Sequence, residues 1–104
     1  MKLLQLSYSA LQSYRKTKGN ENITFKEARA KLTRNVELAV ESVENANDTG
    51  NVMYKYGNLW MLVNRAKHKI IWIHNWKGKK SSEGWQQNEF LKYLVSEDYG
   101  VRIS

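Results

Sequence analysis

The chain has 104 residues, 41% of them hydrophobic and 12% aromatic, and it contains no cysteine. That length holds one domain with enough apolar area for a core, which argues against wholesale disorder, and the missing cysteines exclude a disulfide scaffold, a thiolate zinc site, a redox motif and a cysteine nucleophile. Seventeen Lys and Arg against ten Asp and Glu give a formal net charge of +7, a balance that suits a phosphate-bearing or acidic partner.

From Ser7 to about Thr17, Tyr8, Leu11, Tyr14 and Arg15 recur at helical spacing, with Gly19-Asn20 as the stop. Residues 2–6 either lead into that helix or form an edge strand. Thr24 and Glu27 make a capping box, so a second helix is expected from Phe25. Ala28, Leu32, Val36, Ala39, Val40 and Val43 fall on one stripe that carries this helix to about Asn45, with Thr33 to Asn35 as the place where it would break. Residues 45–51 have turn chemistry throughout. The period then changes: Val52 to Tyr56 is β-prone, Gly57-Asn58 is a two-residue turn that accepts positive φ, and Leu59 to Val63 resumes the strand. Asn64 to His68 forms a longer turn, and Lys69 to Asn75 is a third strand. Trp76 to Gly84 reads as a loop, and Trp85, Leu91, Leu94 and Val95 mark a last helix from about Ser82 to Ser96. Tyr99 to Ser104 would add a short edge strand. The expected fold class is α+β, with N-terminal helices packed on a small antiparallel β-meander, about residues 52–76, and a C-terminal helix.

Charge is segregated along the chain. Residues 49–80 carry Lys55, Arg65, Lys67, Lys69, Lys77, Lys79 and Lys80 without one Asp or Glu, and residues 1–20 carry four bases without an acid. A basic surface of this kind is rewarded by counterion release from a nucleic-acid backbone, and it also steers encounters with acidic proteins. There is no phosphate-binding Gly-rich loop, no His-Glu-x-x-His, no Gly-x-Ser-x-Gly and no pair of closely spaced carboxylates in the basic block. No metal or other cofactor is expected. Metal-independent RNA cleavage needs only a His, Lys, Arg or Tyr to move protons and cations to neutralise the phosphorane, and those groups are present. The start, Met1-Lys2-Leu3-Leu4-Gln5-Leu6, breaks its hydrophobicity too early for a signal peptide or a membrane span, so a cytoplasmic protein with no membrane partner is expected.

Alternation places His74 with Ile70 and Trp72 on one side of the third strand, beside a basic loop, as a proton-transfer group or a rim histidine capping the sheet. His68, among Arg65, Lys67 and Lys69, reads as an exposed turn residue. Tyr54 and Tyr56 share one strand face with Lys55 opposite, suited to cross-strand packing or to contact with bases and phosphates. Of the four tryptophans two are expected to fill the core, whereas Trp76, next to Lys77, Lys79 and Lys80, is the candidate for stacking. Arg15, Lys16 and Lys18 at the end of the first helix either offset its dipole or contact phosphate.

The order helix, helix, Tyr54-Lys55-Tyr56-Gly57-Asn58-Leu59-Trp60-Met61-Leu62-Val63-Asn64, charged turn and Lys69-Ile70-Ile71-Trp72-Ile73-His74 resembles the small RelE-like toxins, and more broadly the barnase–EndoU–colicin–RelE class of compact ribonucleases and their inactive relatives. The resemblance covers mainly residues 52–76, with a looser echo in Tyr8 to Arg15. It implies a catalytic set of Lys55, Arg65 and His74, with Lys77 nearby, and an antitoxin as a partner. Cleaving relatives often carry a histidine or arginine early in the first helix, where this chain has Ser9. Two functional expectations follow. One is an RNA- or ribosome-directed protein, a RelE-like endoribonuclease or a non-cleaving binder, with Arg15, Tyr56, Trp76, Lys77, Lys79 and Lys80 on the nucleic acid. The other is a phage or mobile-element inhibitor that uses the same basic, tryptophan-bearing surface on an acidic or nucleic-acid-binding host protein.

Overall fold

The computed structural model describes residues 3–42, 50–76 and 89–101. Eight elements follow in chain order: β1 (Gln5–Leu6), α1 (Tyr8–Arg15), α2 (Phe25–Leu38), β2 (Val40–Ser42), β3 (Asn51–Tyr56), β4 (Leu59–Asn64), β5 (Lys69–Asn75) and α3 (Glu89–Tyr99). The architecture is α+β, with the expected meander at its centre. The sheet is wider than the meander, running β1-β5-β4-β3-β2. β2 joins antiparallel to β3, and β1 joins parallel to β5, so the sheet is mixed.

Local chemistry accounts for the boundaries. Ser7 caps α1 by accepting from the Ala10 amide at 3.1 Å, and its own amide donates to the Ile70 carbonyl, which ties the helix start to β5. At α2 the capping box is complete: the Glu27 amide donates to Thr24 Oγ1 at 3.1 Å and the Thr24 amide donates to Glu27 Oε1 at 3.3 Å. Gly57 adopts φ 57°, which a side chain would disfavour, and closes the two-residue turn between the paired Tyr56 and Leu59.

Three expectations are corrected. α2 ends at Leu38 rather than about Asn45, and it passes through Thr33 to Asn35 without a break. Ala39 turns to ψ 162° and Val40 pairs with Lys55 as the start of β2, so the apolar stripe that reads as helix serves a strand at its end. β-branched Val40 is at home on a sheet edge, and pairing there decides against the helical period. Tyr99, expected to open an edge strand, is the last residue of α3. The expected start of that helix at Ser82 lies outside the described residues, as does Val43.

The core lies between one face of the sheet and the helices α1 and α2. Leu6, Ala10, Leu11 and Tyr14 meet Ala28 and Leu32 over Leu59, Met61, Val63, Ile70 and Ile73. The N-terminal segment is fastened to α2 by polar contacts: the Leu4 amide donates to Thr33 Oγ1 at 3.1 Å and Arg29 Nε donates to the Leu4 carbonyl at 2.7 Å. α3 packs on α2 through Val95 and Ser96.

Tyr14 gives this core a pH limit. Burial pushes its phenol up to about 12, with the neighbouring Tyr56 adding to the rise and the Arg34 charge opposing it. The folded form holds the proton where the unfolded chain, with an ordinary value of 10.0, releases it. Stability from this group is therefore intact below pH about 10 and is lost as pH rises toward about 12, a loss on the order of 3 kcal/mol. Thermal melts across that range, followed together with phenolate absorbance, should show a falling Tm with two phenols titrating late, Tyr14 and Tyr99, the second pushed up to about 12 by burial and by its hydrogen bond with Glu37.

Candidate nucleic-acid interface

Strand alternation gives the sheet a second face, and the pairing register shows what lies on it. Val52, Tyr54 and Tyr56 of β3 register with Val63, Met61 and Leu59 of β4 on the core side. Met53 and Lys55 therefore face outward with their partners Leu62 and Trp60. In β5 the register shifts: Leu62 pairs with Trp72 but Val63 pairs with Ile70, leaving Ile71 as the extra residue of a bulge. Ile70 and Ile73 are consequently both buried on the core side, while Trp72 and His74 point out. This corrects the expectation that His74 shares a side with Ile70; it shares one with Trp72 only. The Ile71 carbonyl accepts from Ser7 Oγ at 3.4 Å, which anchors the bulge to the α1 cap.

The bulge sets up a continuous row of rings. Trp72 stacks on His74 with 5.8 Å between centroids and 13° between planes. His74 meets Trp76 edge-on at 4.4 Å, and Trp76 meets Trp60 edge-on at 5.4 Å. Lys55 Nζ lies 4.4 Å from the centre of the Trp60 ring, placing a cation at the end of the row. Trp72 is 41% exposed, and His74 is exposed beside it. α1 and α2 pack on the opposite face and α3 packs on α2, so among the described residues no helix covers this row. The expectation that two tryptophans fill the core is overturned for Trp60 and Trp72, neither of which belongs to the buried cluster. Trp60 faces out by the regular burial alternation of β4, and Trp72 by the bulge, which shifts the period of β5 by one residue.

Beside the row runs a groove of about 530 Å³ between the C-terminal end of α1 and β5, lined by Lys16, Thr17, Lys18, His74 and Asn75 among others. It brings bases from the first basic segment next to the aromatic face.

The expected site residues separate into groups. Lys55, His74 and Trp76 come together around Trp60. Arg65 does not join them: it sits in the β4–β5 turn, where its amide donates to the Gly50 carbonyl at 3.1 Å, five residues beyond Trp60 and thus about 16 Å along the strand direction. Tyr56 lies on the core face, packed against the buried cluster, on the side of the sheet opposite Trp76. Arg15 donates from Nε to the Ile23 carbonyl at 3.1 Å and so ties the end of α1 to the segment before α2. His68 is exposed in its turn at φ 48°. Lys77, Lys79, Lys80 and Trp85 lie outside the described residues. The residues missed as site candidates are Trp60 and Trp72, whereas Lys16 and Lys18, weighed with Arg15 as phosphate contacts, line the groove beside His74.

A family model for YorE matches residues 4–94, which spans every described strand and most of the helical sequence. The chain belongs to the YorE family. This is a phage-type family, so the protein is phage-related. No curated protein and no solved structure matches. Among the described residues of this YorE-family chain, no helix is long and apolar enough to cross a membrane, and no three His, Asp or Glu side chains gather as a metal site.

Proposed function

We propose that the protein binds single-stranded RNA in the cytoplasm, laying bases on the outer face of the sheet and phosphates along the basic residues beside it. The observation that carries this reading is the ring row Trp72–His74–Trp76–Trp60 with Lys55 at its end and an exposed indole at the other. Aromatic rings on a sheet face offer each base a stacking surface independent of its identity, and neighbouring cations track the backbone. Residues 50–76, which build most of this face, hold no carboxylate to repel a phosphate. Binding without cleavage is favoured over a RelE-like ribonuclease because Arg65 stands apart from Lys55 and His74, and the His74 ring is engaged on both sides by indoles.

The test is incubation with total RNA and with ribosomes, in EDTA, at low and moderate salt, followed by gel analysis of RNA integrity and bound species. Intact RNA in complexes that dissociate as salt rises is the expected result. Discrete cleavage products would contradict a non-cleaving binder and restore the catalytic reading of His74 and Lys55.

A second reading has one observation of its own. Phe90, Tyr93 and Leu94 are spaced to share one side of α3 and are 72%, 50% and 44% exposed. In a phage-related chain, such a surface suits an inhibitor that docks on a host protein. Failure to bind any RNA, with stable capture of one acidic or nucleic-acid-binding host protein, would favour it.

A further inference from the structure

On the side of the sheet away from the ring row, a cavity of about 370 Å³ opens between the end of α1, α2, the β3–β4 turn and α3. Its lining includes Lys18, Lys31, Arg34 and Lys92, with Tyr14 and Tyr56, and among the described residues no Asp or Glu. Arg34 is only 3% exposed. Its Nε and Nη2 donate to Asn35 Oδ1 at 3.0 and 2.7 Å, and its Nη1 donates to Ser96 Oγ at 3.3 Å. These three hydrogen bonds go to neutral acceptors, and a guanidinium has five N–H groups, so two have no acceptor among the described residues. A buried cation is ordinarily paired with an anion, because taking it out of water costs several kcal/mol that neutral partners do not return.

We infer that this cavity is a binding site for a phosphate group, with Arg34 as its buried anchor and Lys31, Lys92 and Lys18 around it. A planar guanidinium with unspent donors matches two phosphate oxygens, and the ammonium groups supply the remaining charge. Lys31 registers the density of positive charge here: burial lowers its pKa, and Arg34 and Lys92 lower it further, with Glu27 opposing. A dianion in the cavity would reverse the effect of those two neighbouring charges. Thr17, Lys18 and Asn75 line both this cavity and the groove beside His74, so the two are adjacent. The phosphate could thus be free or the end of a bound strand, and the chemistry is the same. The site stands independently of RNA binding on the outer face.

The experiment is calorimetric titration of the full chain with inorganic phosphate at constant ionic strength, paired with thermal melts in phosphate and in chloride. One saturable site and a higher Tm in phosphate are expected. Arg34→Gln should abolish binding, and Lys31→Ala combined with Lys92→Ala should weaken it at least about tenfold, the size expected for lost charge-assisted contacts. If Arg34→Gln does not fold, the double lysine variant decides alone. Trp72→Ala should bind phosphate as the unsubstituted chain does, which separates this site from the ring row. Equal melts in phosphate and chloride, or unchanged binding in the lysine variant, would overturn the inference. A 5′-phosphorylated oligonucleotide compared with its 5′-hydroxyl form tells a strand end from free phosphate.

Discussion

Replacing Leu32 with alanine is expected to cost roughly 3 kcal/mol and to lower Tm by roughly 15 °C. Leu32 is completely buried and stands on α2 at the centre of the cluster that joins Leu11 and Tyr14 of α1 to Met61 and Ile70 of the sheet. Truncation removes the transfer free energy of the missing carbons and leaves a void that strands and helices on both sides cannot both close. A domain of this size has only about 5–15 kcal/mol of stability in total, so the variant should be folded at low temperature and open to denaturant well before its parent. Leu94→Ala is the contrast: at 44% exposure on α3, it should change stability by less than about 1 kcal/mol. Urea unfolding of the two variants checks both statements, and equal losses would mean that the core is not where the packing places it.

The largest effect on function is expected at Trp72. Its ring is the exposed end of the row, supported from below by His74 at 5.8 Å, and it fills no part of the core. Trp72→Ala should therefore leave stability almost unchanged and weaken binding of single-stranded RNA by about 1–3 kcal/mol, roughly 5- to 150-fold in Kd. Trp72→Phe, which keeps a smaller ring, should fall between the two. Lys55→Gln should act differently: it removes one phosphate-facing charge, so the slope of log affinity against log salt should become shallower by about 0.7. Fluorescence titrations of the three variants at several salt concentrations separate stacking from charge. A Trp72→Ala variant with unchanged affinity would remove the outer face from the account.

How far the sequence discloses these features depends on whether the signal is local. The Thr24–Glu27 capping box, the Gly57-Asn58 turn and the strand resumed at Leu59 to Val63 are written in neighbouring residues, and each appears in the fold as read. The end of α2 is not local, since Val36, Ala39 and Val40 satisfy the helical stripe and only pairing of Val40 with Lys55 makes the last of them a strand. The bulge at Ile71 is subtler still. Ile70-Ile71-Trp72-Ile73 contains no glycine or other mark of an irregularity, yet one extra residue there decides that Ile70 is buried and that Trp72 faces out with His74. Without it, the alternation argument groups Ile70, Trp72 and His74, and Trp72 looks like core. The same limitation hides Arg34. On the helical wheel it is one more charge of a mixed face, and only the packing of α3, which brings Ser96 to its guanidinium, buries it.

The most direct test of the central claim is to photocrosslink the unsubstituted protein to a single-stranded RNA carrying photoreactive bases and to map the modified residues by mass spectrometry. Adducts on Trp72, His74 and Trp60 of β4 and β5 are predicted. Adducts confined to the opposite side, at Tyr8 of α1 or Tyr93 of α3, or no adduct under conditions where RNA is bound, would contradict it.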